Sequence, residues 1–128
     1  MEKWKYHKIF LLESSRSIRD LLILLNSITQ QDEKWRLDEV DICNHLHDVY
    51  ENKTLSKLEI DSFIVQIDTI ADLDISVIRS DNTVKLNLYC FDCNWVHIYT
   101  DVKDLMNMFT KHIYENTLGT LDYDESSE

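Results

Sequence analysis

One glycine and no proline occur in the 128 residues. A phosphate-cradling loop needs several glycines, so neither a Walker A loop nor a dinucleotide fingerprint is present. Cysteine is scarce as well, with Cys43, Cys90 and Cys93 alone. A small, odd count speaks against the disulfide framework of a secreted domain and for a reduced, cytoplasmic setting. Long apolar runs are missing: Leu21–Leu25 is the longest, far below the roughly 20 residues that span a bilayer. Ile9–Leu12 falls short of the roughly 7–15 residues of a signal-peptide core, so export by that route is not expected.

Basic residues are the other deficit. Lys and Arg number 13 against 24 Asp and Glu, for a formal charge of −11. Residues 1–64 hold 12 acids and 9 bases, net −3, while residues 65–128 hold 12 acids and 4 bases, net −8. Nucleic-acid phosphates and anionic lipid repel such a chain, which favours a basic protein as partner.

What is present suffices for one core. With 44% apolar residues the composition is globular, and no linker or repeat interrupts it. A single domain is expected over residues 1–119, followed by 120–128 as an acidic, flexible tail. Gly119, after a helical pattern, suits a left-handed helix cap. Lys5–Leu12 alternates as a strand with Trp4, Tyr6, Phe10 and Leu12 on one side. Ser14 and Ser15 are candidate caps for a helix carrying Ile18, Leu21, Leu22, Leu25 and Ile28 at helical spacing, widened by Ile23 and Leu24 so that more than one side is buried.

A second helix is read from about Asp38 to Glu51, with Ile42, Cys43, Leu46, Val49 and Tyr50 on one face. Ser56 and Glu59 have capping-box spacing for a third, lined by Leu58, Phe63, Ile67 and Ile70, although Phe63, Val65 and Ile67 also alternate as a strand would. Asp101 can cap a final helix with Val102, Leu105, Met106, Phe109 and Ile113. The fold class expected is α+β: a three-stranded antiparallel meander at about 74–100, with room for an added N-terminal strand, packed by three to four helices including a C-terminal one.

Within the meander, Asp81-Asn82 suits a two-residue turn that faces Ser80 to Thr83, Val77 to Leu86 and Ile75 to Leu88. A three-residue loop, Asp92-Cys93-Asn94, then sets Cys90 opposite Val96 and Leu88 opposite Ile98. One face becomes apolar. The other collects Lys85, Asn87, Tyr89, Phe91, Trp95, His97 and Tyr99. Aromatic rings with polar tips are enriched at protein interfaces. Tyr89, Phe91, Trp95, His97 and Tyr99, with Asp81 and Asp92 at the ends, are therefore the candidate partner-binding residues, unless the first helix or the N-terminal strand covers them.

Other constellations carry less chemistry. Cys90-Phe91-Asp92-Cys93 is a C-x-x-C, but with His97 it makes only half a zinc site, and it sits at a hairpin instead of opening a helix. His45 and His47, two apart on a helix, point about 200° from one another. Asp72 and Asp74 lack the glycine and glutamate of a calcium loop, and the serines lack nucleophile-elbow glycines. No catalytic residue, metal or cofactor is expected.

An acidic domain without catalytic apparatus works by binding. Its physical profile is similar to that of the immunity proteins that neutralise bacterial nuclease toxins by occluding the substrate-binding surface, an analogy of charge and not of motif. Two other inhibitors or binders share the profile: a phage-encoded anti-defence protein of the anti-restriction or anti-CRISPR kind, and a small acidic secretion chaperone.

Overall fold

A computed structural model of the chain describes residues 4–14, 16–42, 49–67, 70–91 and 94–126. Seven strands, β1 (Tyr6–Leu12), β2 (Lys34–Ile42), β3 (Lys53–Leu55), β4 (Ile70–Ile78), β5 (Val84–Phe91), β6 (Trp95–Thr100) and β7 (Gly119–Ser126), form one antiparallel sheet in the order β3-β2-β4-β5-β6-β1-β7. Three helices lie wholly within the described residues, α1 (Ser17–Ser27), α2 (Lys57–Gln66) and α3 (Lys103–Glu115), and send their buried residues into a core shared with one sheet face. Phe10, Trp35, Phe63 and Phe109 are its largest fully buried side chains. The polar end of Trp35 is satisfied inside: its Nε1 donates to Thr29 Oγ1 at 3.0 Å, and that hydroxyl donates to Leu25 O at 2.7 Å. Among the described residues no helix is long and apolar enough to cross a membrane.

The meander forms with the expected pairs, Val77 with Leu86, Ile75 with Leu88, Leu88 with Ile98 and Cys90 with Val96. Its first turn is longer than expected. Arg79 and Thr83 close it, and Asn82 takes φ 70° while donating its N–H to Arg79 O. This is a three-residue loop with asparagine in the left-handed position usually given to glycine. Lys85 is the extra residue that restores the register. The same bulge turns Lys85 off the outer face, so its Nζ reaches Ile28 O at 2.8 Å and Glu33 Oε1 at 2.9 Å.

The sheet has seven strands where a three-stranded meander with room for an added N-terminal strand is expected. β1 joins it beside β6, as its alternation suggests, with Phe10 and Leu12 in the core. Trp4 leaves that side, its ring lying 6.4 Å from Tyr99. The helix read from Asp38 begins instead as β2, because a bulge at Asp38 changes the apolar spacing from Trp35–Leu37 to Leu37–Val40 and counterfeits a helical step. Cys43, His45, Leu46 and His47 lie outside the described residues.

Residues expected as a flexible tail form β7 along β1. Gly119 does not cap α3 with a positive φ; Thr117 takes that conformation, at 53°. The glycine serves close approach, since a Cβ there would lie 2.4 Å from Leu11 O.

The helices also depart in detail. α1 buries Ile18, Leu21, Leu22 and Leu25, but Ile23 is exposed, so one side faces the core. Ser14 accepts the Arg16 N–H without capping α1; Ser15 lies outside the described residues. The Ser56–Glu59 capping box is present, yet α2 ends at Gln66, Leu58 points to solvent and Ile70 opens β4. Asp101 does not cap α3: its Oδ1 accepts the Lys5 N–H at 2.8 Å.

Candidate functional site

With the helices packed on one face, the register of six strand pairs fixes what the other presents. Side chains alternate across a strand, so directly paired residues form rows. One row runs Thr54, Arg36, Ser76, Asn87, Tyr99, His7, Glu125 from β3 to β7. The next runs Glu39, Asp74, Tyr89, His97, Ile9, Tyr123. A third holds Asp41 opposite Asp72 on one side and, on the other, Trp95 between Phe91 and Leu11. The face thus has an acidic half on β2 and β4 and an aromatic half on β5, β6, β1 and β7.

The two halves meet at Tyr89. Burial raises its hydroxyl's pKa above 10.0, and the carboxylates of Glu39, Asp72 and Asp74 raise it further. Its ring lies 6.3 Å from Phe91 and 5.8 Å from His97. Asp74 is raised by burial, partly offset by Asn87, whose Nδ2 donates to Asp74 Oδ1 at 2.8 Å and to Ser76 Oγ at 3.0 Å. Glu39 is raised by burial and then by Asp72, Asp74, Glu51 and Asp41. Like charges opposite one another in two successive rows work against the sheet that carries them.

On the aromatic half, His7 stacks face to face on Tyr99, with centroids 4.1 Å apart and planes at 11°. His7 and His97 meet differently. Their planes differ by 18°, yet the centroids are 5.3 Å apart and His7 Nε2 lies 3.1 Å from His97 Nδ1, so the rings stand edge to edge and share a hydrogen bond. Both imidazoles are held below 6.5, His7 by burial and then by His97, His97 by burial. Glu125 opposes the shift at His7.

Of the expected contact residues, Tyr89, Phe91, Trp95, His97 and Tyr99 come together, with Phe91 49% exposed. Asp81 stands apart: it lies in the hairpin at the other end of β5, and its carboxylate accepts the Thr83 N–H at 3.0 Å and hydroxyl at 2.6 Å. That engagement holds it below the usual aspartate range. Asp92 and Cys93 lie outside the described residues, and Cys90 is buried in the core. Sequence reasoning missed His7, Ile9 and Leu11 on β1, Glu39 and Asp41 on β2, and Tyr123 and Glu125 on β7. The alternation of β1 placed its odd-numbered residues on the outer side, and that signal was available.

Among the described residues, one end of the face borders a hollow of about 210 Å³ lined by Leu11, Leu12, Glu13, Asn94 and Thr120. Two others, of about 200 and 300 Å³, lie at the hairpin end of the face, the larger lined by Lys34, Arg36, Thr54, Ile78 and Asn82 and away from the aromatic rings. Small-molecule sites are enclosed and convergent, whereas a broad aromatic and charged surface suits a macromolecule. Among the described residues no three His, Cys, Asp or Glu side chains are placed to hold a metal ion. No protein-family model matches the sequence, no curated protein is significantly similar to it, and no solved structure matches it significantly.

Proposed function

We propose that this chain is a non-catalytic inhibitor that docks the outer face of its sheet onto a basic partner protein, in the manner of an immunity protein neutralising a nuclease-type toxin. The observation that carries this reading is the continuity of the carboxylate rows of β2 and β4 with the aromatic rows of β5 and β6. A surface built to hold phosphate is cationic, and the carboxylates of Glu39, Asp41, Asp72 and Asp74 compete for the same groups. Tyr89, Phe91 and Trp95 supply the apolar area that holds such a complex once formed. The net charge of −11 speeds the encounter.

The test is affinity capture from the source organism with the wild-type chain and a Tyr89→Ala/Trp95→Ala variant as baits. The expected prey is a basic nuclease domain, retained by the wild type, lost by the variant, and inhibited in a purified assay at one-to-one stoichiometry. A prey set identical for both baits, with the variant still folded by circular dichroism, refutes the reading.

A further inference from the structure

The docking face carries a feature that neither charge steering nor apolar contact needs. His7 Nε2 and His97 Nδ1 face each other at 3.1 Å between nearly coplanar rings. A ring centre lies about 1.15 Å from its nitrogens, so a straight contact at this distance predicts centroids about 5.4 Å apart, and 5.3 Å is found. The two nitrogens therefore point almost directly at one another. A metal ion held about 2.0–2.1 Å from each nitrogen would need both to aim at a third point. The in-line arrangement suits one shared hydrogen instead, with an N–H on one ring and a lone pair on the other.

We infer that His7 and His97 form a proton-operated switch on the docking face: sharing one hydrogen they leave the face open to a cationic partner, and additional protons expel that partner. This rests on the docking reading above and adds its regulation. With both rings neutral the bond is satisfied and the aromatic half carries no imidazolium. A first added proton takes an outward nitrogen, such as His7 Nδ1, 4.0 Å from Glu125 Oε2, and leaves the shared hydrogen in place. A second makes both rings imidazolium, sets N–H against N–H and breaks the pair. The protons titrate as a pair and not as two independent sites.

The surroundings decide where the charge goes. From β6, Tyr99 Oη lies 3.3 Å from His97 Nδ1; from β5, the Tyr89 ring lies 5.8 Å from His97; from β7 come Glu125 and the Tyr123 ring, 5.5 Å from His7. Glu125 is the one carboxylate of this group, so it can compensate a single positive charge and leaves a second uncompensated. Burial lowers both imidazoles, and their mutual repulsion adds to it at His7.

The experiment combines two readouts on the full chain. Side-chain ¹H–¹⁵N correlation spectra record the titration of both imidazoles from pH 8 to 4.5 in the wild type, His7→Gln and His97→Gln. Trp95 fluorescence and amide shifts record the affinity of an octalysine peptide at pH 7.5 and 5.5 at constant ionic strength. In His97→Gln the His7 imidazole is expected to move back toward 6.5, since His97 is one of the groups that lower it. Wild-type affinity should fall about fivefold more on acidification than that of His7→Gln/His97→Gln, whose carboxylates still titrate. Each single variant also reads independently, since either one leaves a single titratable imidazole on the face and no pair of rings to charge. An equal fall in wild type and variants overturns the switch, as does a His7 imidazole that titrates unchanged in His97→Gln. A peptide that leaves the outer-face amides unmoved at pH 7.5 overturns the docking reading and the switch with it.

Discussion

Replacing Glu39 with glutamine removes one negative charge from the acidic half and leaves its shape nearly intact. Glu39 stands directly opposite Asp74 across β2 and β4, with Asp41 opposite Asp72 in the next row. Like charges in direct cross-strand register cost roughly 0.2–1 kcal/mol relative to a neutral pair. Asp72, Glu51 and Asp41 add to the repulsion, but Glu39 is only half-buried and solvent screens the sum. The expected gain is therefore about 0.5–1 kcal/mol at neutral pH, or about 2–5 °C in melting temperature for a domain of this size.

The pH dependence gives the sign. Glu39 holds its proton more tightly folded than unfolded, being raised above 4.5. The penalty is therefore absent below 4.5 and grows as the pH rises through the folded value. Urea denaturation followed by circular dichroism at pH 7.5 and 4.0 should show the glutamine variant more stable at the first and equal at the second. The reasoning fails if the variant is no more stable at pH 7.5, or if it gains as much at pH 4.0, which would assign the effect to packing. Under the docking reading the same variant binds a basic partner more slowly, so stability and association rate move in opposite directions.

Gly119→Ala should cost about 1–3 kcal/mol by thermal denaturation, because the new Cβ would press on Leu11 O at 2.4 Å and Leu12 Cα at 2.9 Å and push β7 from β1; an unchanged melting temperature would show that the edge strand yields freely. Lys85→Met removes the counter-charge of Glu33, whose side chain is 7% exposed and 2.9 Å from Lys85 Nζ, and leaves it the Gln30 N–H; the change should cost about 3 kcal/mol. Adding Glu33→Gln should recover part of that loss, and strict additivity in a double-mutant cycle would refute the coupling. With both face imidazoles lowered from 6.5, the unfolded chain takes up protons first as pH falls. Stability should therefore decline below about 6.5, and the His7→Gln/His97→Gln variant should flatten that part of the curve. Trp95→Ala should weaken partner binding by about 2 kcal/mol, roughly 30-fold in Kd, with folding retained.

The meander was legible because strict alternation runs through Ile75, Val77, Leu86, Leu88, Cys90, Val96 and Ile98, and because Asp81 and Asn82 tolerate a tight turn. The helices were legible where a single stripe faces the core, as in Leu105, Met106, Phe109 and Ile113. β2 was hidden by its bulge: Asp38 inserts one residue, and Leu37 to Val40 then reads as a helical step. β7 was hidden by composition, since Leu121 is the one large apolar residue in its core-side register and Asp124, ion-paired with Lys8 at 3.8 Å, shares that side. An edge strand needs few apolar residues when its partner strand already closes the core. The aromatic half of the candidate site came from the legible strands, and the acidic half, built partly on β2, did not.

That division bears on what the face is for. The core is well closed: Trp35 is hydrogen-bonded, and the largest side chains are fully buried. Local departures occur away from the outer face too, since His112 Nε2 is buried without a hydrogen-bond partner among the described residues and Thr117 takes a positive φ. The outer face collects more of them. Glu39 opposes Asp74, Asp41 opposes Asp72, two imidazoles divide one hydrogen, and Phe91 and Tyr123 stand 49% and 43% exposed. A sheet selected for stability alone would place threonine, valine or opposite charges in those rows. On the docking reading, the residues of these rows answer to a partner outside the fold. On that reading their mutual repulsion favours a cationic partner, because cations convert the carboxylate rows from a cost into an attraction.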